Sequence, residues 1–376
     1  MQRRRALSVL AAAPAAIALP ALAQSERRIL LGQSCPLTGP AAQLGLQMNR
    51  GARIYFDRVN AQGGAGGRRV ELRALDDGYE PDRCKANTEA LIGKEDAFAL
   101  FGYVGTPTSL AALPLVNEAE IPFFGPFTGA EALRDPFSRW VFHVRASYFD
   151  ETALIVKHLT NLGLERIAVF RQNDSYGQAG LDGVVRALKL QNREPVAVGL
   201  VERNSTEVAA AVQAIVPKQP QAVVQISAYK SCAAFVRAAR KTGYGGIFYN
   251  VSFVGTQALA DELGRDALGV VVSQVMPFPF STTSPISREY LDAVRQAGGD
   301  ATPNYSSMEG YVAAKVFTEG LRRAGANPTR ESLVAALESL QRYDVGGHMV
   351  DFGARDHTAS RFVELTMLTG DGKVRH

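Results

Sequence analysis

The stretch Ala97-Phe98-Ala99-Leu100-Phe101-Gly102-Tyr103-Val104-Gly105-Thr106-Pro107-Thr108-Ser109 reads as a strand, a polar loop and a helix start. Its first six residues are apolar enough for a buried strand and too few for a helix. Thr106 has the chemistry of an N-cap, and Pro107 suits the first helical position. Further on, Ile121-Pro122-Phe123-Phe124 is a second strand-like run, broken by Gly125-Pro126-Phe127-Thr128-Gly129-Ala130-Glu131. Two hydroxyl- and glycine-rich loops thus leave the carboxyl ends of two neighbouring strands, where open parallel sheets bind ligands. Unpaired N–H groups beside a Thr hydroxyl favour a small anion such as a carboxylate. Capping alone would explain one such loop; the second loop beside it makes a binding site an equal reading.

Strand and helix patterns alternate on both sides of this stretch. Strands are expected over 29–33 and 70–75, and helices over 44–60 and 81–93. Gly63-Gly64-Ala65-Gly66-Gly67 follows a helix and lacks the spacing of a nucleotide fingerprint, so it reads as a connector. An extended run over 140–144 leaves the first unit, and the pattern then restarts. Strands are expected over 166–170, 196–201, 222–226, 247–249, 270–273 and 362–368. Helices are expected over 150–162, 177–190, 208–216, 231–242, 286–296, 307–323 and 330–339. A chain of 376 residues is too long for one ordinary core. The expected fold class is α/β with two lobes, each a parallel sheet with helices on both faces, and a cleft between them. The first lobe is expected to span 24–144 and 274–345, the second 145–273 and 346–376. Hinges are expected near Val144-Arg145, Val272-Ser273 and 343–346.

Met1-Gln2-Arg3-Arg4-Arg5, an Ala-rich apolar segment and Ala21-Leu22-Ala23 predict a signal peptide over 1–23 and export to the periplasm. Sec export is the default, and adjacent arginines leave the twin-arginine route open. No Cys stands at the cleavage point to carry a lipid, and no later apolar run is long enough to cross a bilayer. Formal charge is +4, of which Arg3, Arg4 and Arg5 carry three, leaving about +1 after cleavage. Interspersed acids and bases give no support for nucleic-acid or membrane-surface binding. Three cysteines occur. Cys35 follows the first strand and Cys84 starts the helix after the second, so a Cys35–Cys84 disulfide is expected, with two unpaired thiols as the alternative. Cys232 reads as a small core residue.

No Gly-x-Ser-x-Gly elbow and no phosphate loop occurs, and the five histidines (His143, His158, His348, His357, His376) fall at no metal-ligand spacing. The expectation is a protein with no catalytic residues, no metal site and no cofactor.

At this point the chain resembles the periplasmic type 1 solute-binding proteins of ABC transporters, in the leucine/isoleucine/valine-binding branch. The resemblance spans nearly all of the chain after the signal. It rests on Pro36-Leu37-Thr38-Gly39-Pro40, Asn60-Ala61-Gln62-Gly63-Gly64 with Gly67, Asp76-Asp77 with Pro81, Gly102 through Ser109, Ile121-Pro122, and Asp174-Ser175-Tyr176-Gly177. It implies a small-molecule ligand in the interlobe cleft, its α-carboxylate held by Val104, Gly105, Thr106, Phe127, Thr128 and Gly129. Tyr176 and Tyr229 would cover the ligand from the second lobe, with Tyr148 and Phe149 entering that lobe beside the cleft.

One departure matters. Some relatives place a Glu after the strand at 247–249 to meet the ligand ammonium, and here Ser252 stands at about that position. A buried ammonium without an acid is costly. Either Asp150 or Asp174 supplies the charge, or the ligand is an aliphatic or aromatic carboxylate or an amide. Leu44 also replaces a Tyr that reaches the cleft in some relatives. The implied function is capture of a branched-chain amino acid or similar small carboxylate by hinge closure, for delivery to an ABC permease, by a monomer. A ligand-sensing receptor of the same fold is the alternative, and a secreted hydrolase the alternative of another class.

Overall fold

The computed structural model describes residues 28–376; the signal segment read over 1–23 lies outside the described residues. The first unit runs β1 (Arg28–Cys35), α1 (Ala42–Ala61), β2 (Arg69–Asp76), α2 (Pro81–Gly93), β3 (Ala99–Phe101), α3 (Thr106–Glu118), β4 (Phe123–Phe124) and β5 (Val141–Phe142). All five strands pair in parallel, in the order β2-β1-β3-β4-β5. β1 is buried on both faces except at Arg28, as a central parallel strand should be. Sheet order reverses direction between β1 and β3, which puts the loops after those strands on either side of one crevice.

The second unit runs α4 (Tyr148–Asn161), β6 (Ile167–Gln172), α5 (Ser175–Lys189), β7 (Val198–Val201), α6 (Ala209–Ile215), β8 (Ala222–Ile226), α7 (Tyr229–Lys241), β9 (Ile247–Asn250), α8 (Thr256–Leu263) and β10 (Val271–Gln274). Then follow α9 (Pro285–Ala297), α10 (Tyr305–Ala324), α11 (Arg330–Glu338), β11 (Tyr343–Asp344), β12 (Met349–Val350), β13 (Glu364–Leu368) and β14 (Val374–Arg375). The second sheet has the order β14-β13-β10-β9-β8-β6-β7. β7, β6, β8, β9 and β10 are parallel, but β13 runs antiparallel to β10 and to β14. This sheet is therefore mixed at one edge: β13 is reached from β10 by way of α9–β12, and β14 follows β13 through a tight hairpin.

α9 to α11 belong with the first sheet. α10 crosses α1 at two glycines: a Cβ on Gly51 would stand 1.8 Å from the Ser307 carbonyl oxygen, and one on Gly310 would stand 2.2 Å from that of Met48. The segment after β12 also differs from expectation. Residues 346–360 were expected in the second lobe, yet Phe352 packs on Phe124 and Phe142, and the His357 ring stacks on Phe142 at 3.7 Å. Thr358 pairs with His143 beside β5. The third crossing between sheets thus follows Thr358, beyond the hinge expected at 343–346; aromatic stacking on β4 and β5 holds the chain there until β13. Among the described residues no helix is long and apolar enough to cross a membrane.

Candidate functional site

The two loops that decided the sequence reading lie side by side. Val104 and Phe127 form a parallel bridge; Phe127 N donates to Tyr103 O at 2.7 Å and Gly105 N to Phe127 O at 3.3 Å. Gly105 has φ +105°, and a Cβ there would fall 2.2 Å from the Tyr79 ring, so only glycine fits. α3 starts at Thr106 with Gly105 as its cap residue and no side-chain capping bond. Thr106 is therefore not the cap expected. Its hydroxyl instead meets Thr128 Oγ1 at 2.7 Å, and Thr128 Oγ1 lies 3.3 Å from Tyr148 Oη. Three buried hydroxyls in a row can turn their protons toward one anion. The N–H groups of Gly105, Phe127 and Thr128 are all engaged with backbone carbonyls. Those three amides are thus taken by backbone carbonyls, which leaves the hydroxyls and the first N–H groups of α3 as the donors a small anion could meet.

An aromatic cluster faces these hydroxyls. Tyr176 lies 5.4 Å from Tyr148 and 4.6 Å from Phe253, and Phe253 in turn packs on Tyr79 and Phe127. Tyr79 and Phe127 come from the first unit, Tyr176 and Phe253 from the second. Tyr176 Oη is buried without a hydrogen-bond partner. Its position after β6 is set by Asp174, which caps α5 by accepting from Tyr176 N and Gly177 N. Gly129 also positions this cluster: Tyr148 N donates to its carbonyl at 2.7 Å, and a Cβ on it would strike the Tyr148 ring.

The hinge side of the cleft carries buried charge. Arg145 is 1% exposed, and its guanidinium sits 4.5 Å over the Phe127 ring. Arg145 Nη2 donates to Ser252 Oγ at 2.5 Å, and Nε stands 3.2 Å from Glu309 Oε1. Glu151 accepts from Ser252 N, Ser252 Oγ and Ser273 Oγ at 2.7, 3.0 and 2.5 Å. Burial pushes both acids up, Glu309 to about 7, with Arg145 pulling the other way. Burial also works against the Arg145 charge, but Glu309 and Glu151 together hold it above its ordinary value. Between Arg145, Ser252, Gln274, Ser306 and Glu309 lies a cavity of about 10 Å³, close to the room one water needs.

At the opposite, outer edge the units grip each other directly. Arg203 Nη2 pairs with Glu80 Oε2 at 2.8 Å, while Asn204 Nδ2 donates to Glu80 Oε1 at 2.7 Å and to Gly78 O at 3.1 Å. Gln172 Nε2 donates to Tyr79 Oη at 3.2 Å.

Of the sequence-predicted residues, Val104, Gly105, Thr106, Phe127, Thr128, Gly129, Tyr148 and Tyr176 gather around one cleft. Ser252 belongs to its hinge side, bonded to Arg145 and Glu151. Tyr229 stands apart from the aromatic cluster, its hydroxyl beside the Gln43 backbone. Phe149 does not reach the cleft; it lies under the Arg186 guanidinium at 4.9 Å. Leu44 spans the gap between units and reaches Gly255. Asp150 is engaged in the capping box of α4 with Ser147. The expected Cys35–Cys84 disulfide is absent: both are free, buried thiols, as is Cys232. The Cys84 thiol turns toward Ser34, Thr88 and Asp77, and burial, with Asp77 next, keeps it protonated. Sequence reading missed Tyr79, Glu151, Phe253 and Glu309 and took Arg145 only as a hinge point. A lone arginine in Val141-Phe142-His143-Val144-Arg145-Ala146, and a lone acid in the otherwise uncharged run from Tyr305 to Ala314, were the available signals.

The model of the periplasmic binding protein family matches residues 28–373. The chain belongs to that family. Among solved structures it is similar to a possible leucine/isoleucine/valine-binding protein from Rhodopirellula baltica SH 1, with 35% identity, TM-score 0.90, and 93% of this chain and 96% of that one covered. It is also similar to a substrate-binding periplasmic protein from Ralstonia solanacearum, with 34% identity, TM-score 0.87 and coverage of 92% and 99%. A Leu/Ile/Val-binding protein homolog 8 from Brucella abortus is 24% identical over 367 residues, 92% of this chain and 89% of that protein. These relatives are described as binding proteins, and the two-lobed α/β fold is shared with the solved ones.

Proposed function

We propose that this periplasmic binding protein captures a small carboxylate-bearing solute, a branched-chain amino acid or a close analogue, in the periplasm and delivers it to an ABC permease. One observation carries the reading: the buried Thr106–Thr128–Tyr148 hydroxyl row faces an aromatic cluster drawn from both lobes. Hydroxyls and a helix start solvate an anion without a cationic partner, while Tyr79, Phe127, Tyr176 and Phe253 suit an apolar body. The rigid units of this reading are 28–144 with 275–360, and 145–274 with 361–376. Phe253 packs on the first lobe across the cleft, so entry of a solute requires the lobes to part about the hinge near Arg145 and Gln274. Closure then follows only if the solute touches both lobes, because differential affinity alone shifts such an equilibrium. The protein acts by binding, not by catalysis.

The test is a thermal-shift screen of protein refolded after unfolding to strip carried-over ligand, against L-amino acids, aliphatic and aromatic carboxylates, and amides. A true ligand at about 100 times its Kd adds roughly 2.7 kcal/mol of stability, a raised midpoint. Hits confined to compounds without a carboxylate would contradict the reading.

A further inference from the structure

A solute carrying both a carboxylate and an ammonium needs a counter-charge for the second group, which the Ser252 hydroxyl cannot supply. The two acids first suggested for that duty are engaged elsewhere. Asp150 closes the α4 capping box, and Asp174 caps α5, accepts from Gln172 and pairs with Arg203. Glu151 accepts three hydrogen bonds and answers Arg145 through Ser252 Oγ.

Glu309 is different. It is 3% exposed, accepts no hydrogen bond among the described residues, and touches one cation, Arg145, at 3.2 Å. Among the described residues Arg145 is thus the single close cation for two carboxylates, and Arg134 is the smallest influence on Glu309. Glu309 lines the hinge-side cavity together with Ser306 and Gln274. Phe127, the residue before Thr128, lines that cavity too, with the Arg145 guanidinium over its ring. A buried acid with surplus charge and unused acceptor capacity is the chemistry that recognises an ammonium.

We propose that Glu309 is the specificity-determining residue of the cleft, accepting the cationic group of the solute, so that the protein selects amino acids over carboxylates and amides of the same carbon skeleton. This rests on the reading of Thr106 and Thr128 as the carboxylate site. Binding requires ionised Glu309. The charged groups facing it are Arg145 and Arg134, which favour ionisation, and Glu151, which opposes it; burial is the largest influence and also opposes it. Affinity for an amino acid therefore falls as pH drops from 8 to 6.

The experiment is calorimetric titration of stripped wild type, Glu309→Gln and Glu309→Asp with leucine, β- and γ-amino acids, and the deaminated analogue 4-methylpentanoate, at pH 6 and pH 8. The expected result is that an amino acid binds wild type at least tenfold more tightly than the deaminated analogue. Glu309→Gln should lose at least tenfold for the amino acid and little for the analogue, with Glu309→Asp between. Equal or tighter binding of the analogue by wild type overturns the proposal. So does tighter amino-acid binding by Glu309→Gln, which would mean that an anion sits on Arg145. Binding of neither class removes the carboxylate reading itself, and this one with it, whereas hits among carboxylates alone remove only the role of Glu309.

Discussion

Glu309 and the cysteines give the clearest consequences at the scale of single residues. Burial raises the Glu309 carboxyl from 4.5 to about 7. Between those values the folded protein holds a proton that the unfolded chain has released, so stability falls as pH rises through that window. Glu309→Gln lacks this proton. Urea melts of the two proteins should therefore converge near pH 4.5 and shift in favour of the variant by on the order of 3 kcal/mol by pH 8. Parallel pH profiles would contradict the assignment. The cysteines make a separate prediction: three thiols should titrate in denaturant and none rapidly in the native protein, whose thiols are buried. Fewer than three would mean that a disulfide forms after all. Residues on short sequence-local loops, such as Thr106 and Thr128, were legible because the loop itself signals a strand end. Glu151 and Glu309 were not, because they join Arg145 and Ser252 from helices more than a hundred positions apart, and nothing local marks them except an isolated charge among apolar neighbours.

Elements were read well where their periodicity was long and poorly where tertiary contacts decide. Of the α1 stripe read at Met48, Ala52, Ile54, Tyr55 and Val59, all but the half-buried Ile54 are buried, and Leu44 and Phe56 join them. α8 and the short strands β11, β12 and β14 were not read, since two-residue strands and a helix of eight residues carry little periodic signal. Two element contacts depend on single glycines. Gly310→Ala forces α10 off the Met48 carbonyl of α1 and should destabilise the protein by about 2–4 kcal/mol, measured as a lowered midpoint in urea. A midpoint within experimental error of wild type would show that the helices do not meet there. Gly105→Ala acts on the site as well as the fold. It strains a positive φ and displaces the Tyr79 ring. Solute affinity should drop at least tenfold, beyond any loss of stability seen in melts without solute; unchanged affinity in calorimetry would count against Tyr79 as part of the cleft.

At the scale of the whole molecule, the described residues build two large sheets whose loop ends face one another, closed by Arg203 and Asn204 on the Glu80 carboxylate. These groups are partly buried, so the grip should weaken with salt less than a surface pair does. Glu80→Ala should leave the melting of each lobe nearly unchanged, yet raise the solute dissociation rate several-fold and enlarge the solute-bound radius of gyration in X-ray scattering. No change in either would remove the grip from the account of closure. The two-lobe plan was legible because alternating strands and helices restart after 140–144, but the course of 346–360 was not, since it depends on Phe352 and His357 stacking across a distant strand. Everything proposed for the cleft turns on Thr106 and Thr128 holding a solute carboxylate. The most direct measurement is calorimetry of the best screening hit with wild type and the Thr106→Val/Thr128→Val protein. Loss of both hydroxyls should weaken binding by about 2–4 kcal/mol, or roughly 30- to 1,000-fold, while the variant still melts cooperatively. Wild-type affinity in that variant would contradict the account.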